Sequence, residues 1–372
     1  MSEIIMVGCD LHDRSMLLRY ATGLGEPQQM TCSNTAEGRE RMIKKLLLHR
    51  DQHQAAKCVF AYEASGLGFG LADELELSGI ECHVLSPTHL PKTPKGAKQK
   101  TDVRDAQMLL EQLRGHVLAG NALPTVWTPP HRLRDDRELV RARIDAGEEL
   151  TRVKLKVLSL LKRRGISLPE NYQCKWSKAF VRWLHETAAV LCDETRVVVE
   201  QLANRYELYR KEIGSLDKAI RTLSQQPRYK VPHRTLREIP GVGLLVAMAF
   251  LTEMGDLLRF ENRRQIAAFL GVCPSCRESG EVPDRKGRIT RQGPSRLRKL
   301  LCQAVWVSLK YCDKARADHE RIKQGQAKRS KKATVALMRK LAIRMWHAGV
   351  SCGVSTELCG RGGPAQTNAC VV

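Results

Sequence analysis

Two continuous apolar runs, each followed by a carboxylate, constrain the fold of this chain most strongly. The first run, Ile4–Cys9, precedes Asp10, and the second, Cys58–Tyr62, precedes Glu63. Short continuous apolar runs are typical of strands that are buried on both faces of a largely parallel sheet. Parallel strands end at the same edge of their sheet, so the pattern predicts that Asp10 and Glu63 lie close together.

The first 120 residues alternate between segments typical of strands and of helices. Further strands are expected over 15–22, 28–32 and 80–85, and helices over 34–49, over 67–77 and from Thr101 or Asp102 onward. This order suits an α/β fold of the ribonuclease H-like (RuvC-like) type. The apolar face of the last helix is predicted to be Val103, Ala106, Leu110 and Leu113.

Four carboxylates of this region form a candidate metal site. Asp102 and Asp105 are three residues apart and so share one helix face, which can complete the cluster begun by Asp10 and Glu63. Four carboxylates cannot stay ionised together without a cation, and oxygen ligands of this kind suit Mg²⁺ or Mn²⁺. Two such ions can bracket a phosphodiester that is being cut. Taken singly, each of the four could instead be a helix cap or a turn residue.

Charge is unevenly distributed along the chain. The net charge is +22, yet residues 1–120 carry 14 Lys+Arg against 15 Asp+Glu, so the excess lies in the remainder. A basic remainder of this kind indicates a nucleic-acid partner. Lys98 and Lys100 add a basic segment just before the candidate site. The sequence shows neither a signal peptide nor an apolar run long enough to span a bilayer, so no membrane role is expected.

The middle of the chain is predicted to be helical. TVWTPP, residues 125–130, is a candidate linker, and a long helix is expected over 133–164, with further helices over 165–232. Leu139, Ala146, Val153 and Leu160 recur every seven residues, with Leu150 and Val157 between them. This short heptad seam fits either a helical hairpin or a coiled coil with a partner chain.

Residues 236–254 predict two helices joined by the turn Pro240-Gly241-Val242-Gly243. Such a helix-hairpin-helix brings the backbone N–H groups at a helix N-terminus within reach of phosphates, which makes Gly241 and Gly243 candidate nucleic-acid contacts. An ordinary packing corner between two helices explains the same residues equally well.

Residues 271–298 contain almost no apolar residues, and Gly, Pro and Ser are frequent, so we expect an irregular loop. Ser279 lies within it between Glu278 and Gly280, and is either a plain surface residue or a nucleophile presented to a polyanion. Cys273 and Cys276 form one CxxC pair without a second pair at finger spacing, which disfavours zinc. Candidate phosphate contacts in this segment are Arg285, Lys286, Arg288, Arg291, Arg296 and Arg298.

These motifs together resemble one family. VGCDLH around Asp10, AYEASG around Glu63, KTDVRDAQ around Asp102 and Asp105, the IPGVG turn, and the segment GVCPSCRESGEVPDRKGRITRQGPSRLRKLL are similar to insertion-sequence transposases. The family combines an N-terminal DEDD, RuvC-like domain with a C-terminal serine domain. The resemblance covers about residues 4–115 and 236–347, and it places Ser279 at the position of the nucleophile.

The resemblance implies a DNA transposase or recombinase that cuts and rejoins donor and target duplexes through a phosphoserine intermediate. It also implies a structured bridge RNA as guide, a dimer or tetramer in which different subunits supply the metal and serine sites, and a location in the bacterial cytoplasm with the nucleoid. The expected domains are a RuvC-like domain over 1–120, a helical coiled-coil region over 121–232, a helical serine domain over 233–350 and a disordered tail over 351–372.

Two other functions fit the residues taken alone. One is a metal-dependent Holliday-junction-type endonuclease in which water is the nucleophile and Ser279 is structural. The other is a non-catalytic nucleic-acid-binding protein whose carboxylates are surface residues.

Overall fold

A computed structural model describes residues 3–91, 101–169, 176–279 and 282–353, with the side chains of 276–286 outside that description. The chain divides into two compact units, one ending at Pro129 and the other beginning at Pro130. The division falls beyond residue 120, where the sequence predicted the first boundary. The second unit contains the predicted middle region from residue 130 onward together with the predicted C-terminal region over 233–350.

The first unit is built on a five-stranded mixed sheet. Its order is β3-β2-β1-β4-β5, in which β1, β2 and β3 pair antiparallel and β4 joins β1 and β5 in parallel. This arrangement is consistent with the predicted ribonuclease H-like fold. The strands are β1 (Ile4–Leu11), β2 (Ser15–Thr22), β3 (Gln28–Ser33), β4 (Lys57–Glu63) and β5 (Glu81–Leu85).

Helices cover both faces of this sheet; they are α1 (Ala36–Gln52), α2 (Gly70–Leu77) and α3 (Asp102–Ala119). Val7 packs on one face with Met42 of α1 and Leu75 of α2. Val59 packs on the other face with Leu110 of α3. Burial on both faces explains why β1 and β4 appear in the sequence as continuous apolar runs.

The first turn of α3 differs from the predicted apolar face. Val103 is 39% exposed, whereas Leu109, which the sequence reading omitted, is buried together with Ala106, Leu110 and Leu113. The prediction for Val103 was therefore wrong. Contact with the sheet begins one turn later, and the first turn stays at the surface with its two aspartates.

Gly8 allows α3 to lie directly on β1. A Cβ added at Gly8 would lie 2.3 Å from the carbonyl oxygen of Ala106 and 2.4 Å from the backbone nitrogen of Leu110. The same contact sets how closely Asp105, the neighbour of Ala106, approaches β1, the strand that carries Asp10.

Replacing Gly8 by Ala is therefore expected to lower the free energy of unfolding by about 1–3 kcal/mol, the usual cost of overpacking a core. Chemical denaturation measures this change. Gly70→Ala is the matched control, because a Cβ there meets nothing within 4 Å and Gly70 begins a helix. Equal stability of the two variants would show that α3 does not depend on this close approach.

In its described residues, the second unit consists of helices and one hairpin. Its helices are α4 (His131–Arg163), α5 (Lys178–Ala189), α6 (Asp193–Ser224), α7 (Pro227–Arg237), α8 (Leu244–Met254), α9 (Arg263–Phe269), α10 (Ser295–Tyr311), α11 (Asp313–Lys323) and α12 (Ser330–Ser351), with a short 3-10 helix at Ala327–Arg329. None of the described helices combines the length and the apolar character that a membrane span requires. The predicted tail begins at the end of α12, and residues 354–372 lie outside the described part of the chain.

Over the C-terminal half of α4, other helices of the same chain cover the heptad seam. Val153 and Val157 share a core with Leu184 of α5 and Leu202 of α6, and the partly buried Leu150 and Leu160 pack against it. Of the two alternatives that the sequence left open, this half of the seam therefore forms the intramolecular one. A partner coiled coil through Val153 and Val157 is ruled out while α5 and α6 cover them.

The segment predicted as an irregular loop contains an antiparallel hairpin of β6 (Pro274–Ser279) and β7 (Val282–Ile289). The pairing joins Pro274 to Ile289 at one end and Ser279 to Val282 at the other, with register shifts between them. The loop prediction was wrong because backbone hydrogen bonds across two strands do not require a run of apolar side chains.

Candidate metal centre and serine hairpin

Asp10 and Glu63 lie on neighbouring strands at one edge of the sheet. The parallel register of β1 and β4 pairs Cys9 with Tyr62, so the residue that follows each of them is a carboxylate. The Asp10 side chain is only 17% exposed, whereas Glu63 is exposed. The structure thereby confirms the predicted placement of these two residues at adjacent carboxyl-terminal strand ends.

Asp102 and Asp105 lie in the first turn of α3, as predicted, and Thr101 is the N-cap residue. The backbone contact at Gly8 holds this helix against β1. The Asp102 side chain is 57% exposed, so it forms the outer wall of the site while Asp10 forms the inner wall.

His12 joins the two walls. Its Nε2 lies 3.1 Å from Oδ2 of Asp10 and 3.5 Å from Oδ1 of Asp102. Within the described ranges, these three residues form a group whose ligand atoms all lie within 4.8 Å of one another, and neither Glu63 nor Asp105 belongs to it. Sequence reasoning missed His12, although its position two residues after Asp10 was an available signal.

The electrostatics of Asp10 indicate a site suited to a cation. Burial raises the pKa of the Asp10 carboxyl, and the nearby carboxylates of Asp102 and Asp105 raise the pKa further, while His12 lowers it. A carboxylate that is penalised by burial and by two like charges is stabilised in its ionised form by a divalent cation. Both aspartates of α3 therefore raise the pKa of Asp10, even though Asp105 lies outside the group formed by Asp10, His12 and Asp102.

The donor set fits a hard divalent cation. Carboxylate oxygens are the ligands that Mg²⁺ and Mn²⁺ prefer, and an imidazole nitrogen is a further metal ligand. Asp10, Asp102 and His12 already converge, and Glu63 follows Tyr62, the register partner of Cys9, on the adjacent strand. A cation between them would replace the hydrogen bond that His12 now makes with Asp10.

Ser279 is the last residue of β6, opposite Val282, at the closed end of the hairpin. Its side chain and the whole of Gly280 lie outside the described residues. Ser275 lies near the opposite end, where its Oγ is 2.4 Å from the position that a Cβ on Gly287 would take.

Two of the candidate phosphate contacts already have structural partners. Arg296 makes two hydrogen bonds to Asp145, at 2.7 and 2.8 Å. Arg298 donates to the carbonyl oxygens of Leu270, Gln292 and Gly293, which ties α10 to the loop before it. Both guanidinium groups thus stabilise the fold, a role that the sequence reading did not anticipate.

Of the other basic candidates, the structure describes the side chains of some and not of others. Arg288, near the end of β7, and Arg291, just after the hairpin, are both exposed. Arg285 and Lys286 lie on the backbone of β7, although their side chains fall outside the description, and Lys98 and Lys100 fall outside it entirely. The side chain of Cys276 is likewise outside it.

Gly241 has a packing role in the turn between α7 and α8. Its φ is +89°, and an added Cβ would lie 2.3 Å from the carbonyl oxygen of Ala304 on α10. Gly243, the N-cap residue of α8, is exposed, and an added Cβ there meets nothing within 4 Å. The packing interpretation therefore accounts for Gly241, whereas Gly243 stays accessible to a ligand.

Comparison with known proteins identifies one family model that matches the carboxylate region and a second that matches the region of Ser279. A family model for the DEDD transposases of the IS110 type matches residues 7–165, which include all four predicted carboxylates. A second model, described as transposase IS116/IS110/IS902 family, matches residues 233–320, which include Ser279.

Relatives with curated names point the same way. A protein of Sinorhizobium fredii named transposase y4qE is 34% identical over 67% of this chain and 58% of its own length. The transposase for insertion sequence element IS1533 of Leptospira borgpetersenii is 24% identical over 82% of this chain and 86% of its own length. This chain thus spans less than two thirds of the Sinorhizobium protein. With the two family models, these relatives show that the chain belongs to the IS110-type family of insertion-sequence transposases.

Proposed function

We propose that this protein is a DNA transposase that cuts and rejoins DNA with the help of a divalent metal, Mg²⁺ or Mn²⁺. The observation that carries the proposal is the convergence of Asp10, His12 and Asp102 at the carboxyl-terminal edge of β1, inside the region matched by the DEDD model. Glu63 and Asp105 complete the proposed ligand set from the adjacent strand and the same helix turn.

The residues of the site have separate roles in this proposal. Asp10, whose side chain is 17% exposed, would hold the cation together with Asp102 and Glu63. When bound, the metal supplies charge stabilisation to the oxygens of the phosphodiester under attack. His12 bridges Asp10 and Asp102 in the absence of the cation and so keeps the ligands close together.

Ser279 is the proposed nucleophile, on the strength of the family resemblance and of its position at the closed end of the hairpin. Its hydroxyl loses a proton and bonds to phosphorus, while the bond from phosphorus to the 3′ oxygen breaks and that oxygen leaves as a hydroxyl. The phosphodiester energy is kept as a phosphoserine, so the reverse step joins strands without ATP. The exposed Arg288 and Arg291 supply positive charge at the open end of the hairpin.

The proposed partners are donor and target duplex DNA, a structured guide RNA and further copies of the same chain. The net charge of +22 supports the two nucleic-acid partners, and the family resemblance supports the guide RNA and the oligomer. Sequencing the RNA that co-purifies with the protein tests the guide.

A cleavage assay tests the proposed function. The protein, purified with its bound RNA, is incubated with a supercoiled plasmid that carries the ends of its own element. We expect strand breaks and joined products with Mg²⁺ and neither with EDTA. Intact plasmid under both conditions would favour the non-catalytic nucleic-acid-binding protein.

A further inference from the structure

A cavity of about 420 Å³ lies in the second unit, beside the turn between α7 and α8. Its walls come from that turn and from α10, α11 and α12. Small-ligand pockets in proteins have volumes of about 300–1,000 Å³, so this cavity is large enough for one nucleotide. No step of the proposed cleavage chemistry uses it.

The floor of the cavity is apolar. Ile239 comes from the turn after α7, Val305 from α10, and Leu337 and Leu341 from α12. Each of these side chains is at least nine-tenths buried, so the floor is packed and in place before any ligand arrives. A packed apolar surface of this kind suits the face of a nucleobase.

The rim of the cavity is cationic. Lys314, Lys340 and Arg344 line it, against the single carboxylate of Asp318. Asp318 is already bonded to Lys340 at 2.9 Å and to Arg321 at 3.0 Å. Lys314 and Arg344 are exposed, and neither forms an ion pair with another described residue. The rim thus offers two cations to a ligand that carries negative charge.

We propose that this cavity, named here the α10–α12 pocket, binds one unstacked nucleotide of a single-stranded nucleic acid. The base lies on the floor formed by Ile239, Leu337 and Leu341, and its phosphate contacts Lys314 and Arg344. A base inside a duplex cannot enter, because both of its faces are covered by stacking. The proposal deepens the proposed function by naming a nucleotide site, and it rests on that function for its polyanionic ligand.

Cys312, in the wall of the pocket, gives a direct readout of occupancy. It is a partly exposed free cysteine, as is Cys302, which lies on α10 outside the pocket and serves as the internal control. Alkylation of the two thiols is followed by peptide mass spectrometry. The ligands are a DNA strand and an RNA strand of about 12 nucleotides, a length within the range that one single-strand-binding fold covers, and the matching duplex.

At a strand concentration of about nine times its Kd, where the factor 1 + [L]/Kd reaches about ten, we expect either single strand to slow the alkylation of Cys312 by about tenfold and to leave Cys302 unchanged. The relative effect of the two strands identifies DNA or RNA as the source of the nucleotide. In the double variant Lys314→Ala/Arg344→Ala, the protection should fall to less than half. Ala315→Phe, which places a ring in the pocket from a partly exposed position on α11, should weaken binding of a labelled single strand.

All measurements are made in EDTA, and Asp102→Asn protein should show the same protection, so a failure of the cleavage chemistry does not affect the result. Equal protection by duplex and single strand would overturn the proposal. Protection by polyglutamate alone would show an acidic-peptide site instead, and no protection by any ligand would show that the pocket is not a nucleotide site.

Discussion

Asp10→Asn is expected to reduce metal-dependent DNA cleavage by about a thousandfold or more, because a lost metal ligand removes several kcal/mol of transition-state stabilisation. Asp10 is the inner ligand of the cluster, with its side chain 17% exposed and its Oδ2 3.1 Å from His12. The amide keeps the shape of the carboxylate but removes the negative charge that holds the cation. Initial rates of plasmid nicking at saturating Mg²⁺ measure the effect.

Asp51→Asn is the matched control, since Asp51 is an exposed aspartate at the end of α1 that pairs only with the neighbouring Arg50 in the described contacts. Its nicking rate should equal that of the unaltered protein. Circular dichroism establishes that both variants are folded. Full activity of folded Asp10→Asn would remove the carboxylate cluster from the mechanism.

Ser279→Ala is expected to abolish the covalent protein–DNA adduct altogether, because the methyl group of alanine cannot bond to phosphorus as the serine hydroxyl can. The adduct is trapped on a DNA substrate with a nick next to the cleavage site and is seen as a shifted band on a denaturing gel. Ser275→Ala, on the same strand near the other end of the hairpin, is the matched control and should retain the adduct.

The same pair of variants separates the serine mechanism from a nuclease that uses water. If Ser279→Ala still cuts DNA and leaves a free 5′-phosphate, water is the nucleophile and Ser279 is structural. If Ser279→Ala forms the adduct as well as the unaltered protein does, another residue is the nucleophile. Loss of both the adduct and cleavage, with Ser275→Ala intact, is the outcome that the proposal requires.

The sheet and its carboxylates could be predicted from the sequence because local patterns determine them. A strand buried on both faces requires a continuous apolar run, and the residue that ends the run reaches the edge of the sheet, as Asp10 and Glu63 do. The three-residue spacing of Asp102 and Asp105 likewise places both on one turn of α3. Periodicity alone cannot show where α3 begins to touch the sheet, so it predicts Val103 on the apolar face although Val103 is exposed.

Features that depend on contacts distant in sequence could not be predicted. His12 meets Asp102 only because Gly8 lets α3 lie against β1. A Gly two residues before Asp10 does not by itself predict this close packing. The sequence predicts Arg298 as a phosphate contact, because its actual partners are backbone carbonyl groups, which leave no pattern in the sequence. The hairpin of β6 and β7 was missed since its pairing uses backbone groups, which every sequence possesses.

Titration of Mn²⁺ into metal-free protein, followed by calorimetry, tests most directly whether the carboxylate cluster is a metal site. The unaltered protein is expected to bind Mn²⁺. Asp10→Asn and Asp102→Asn should each lose at least about a hundredfold in affinity, since even outer-shell substitutions cost about 10- to 100-fold. Asp51→Asn should bind as the unaltered protein does. Unchanged Mn²⁺ affinity in Asp10→Asn would contradict the assignment of this cluster as the metal centre.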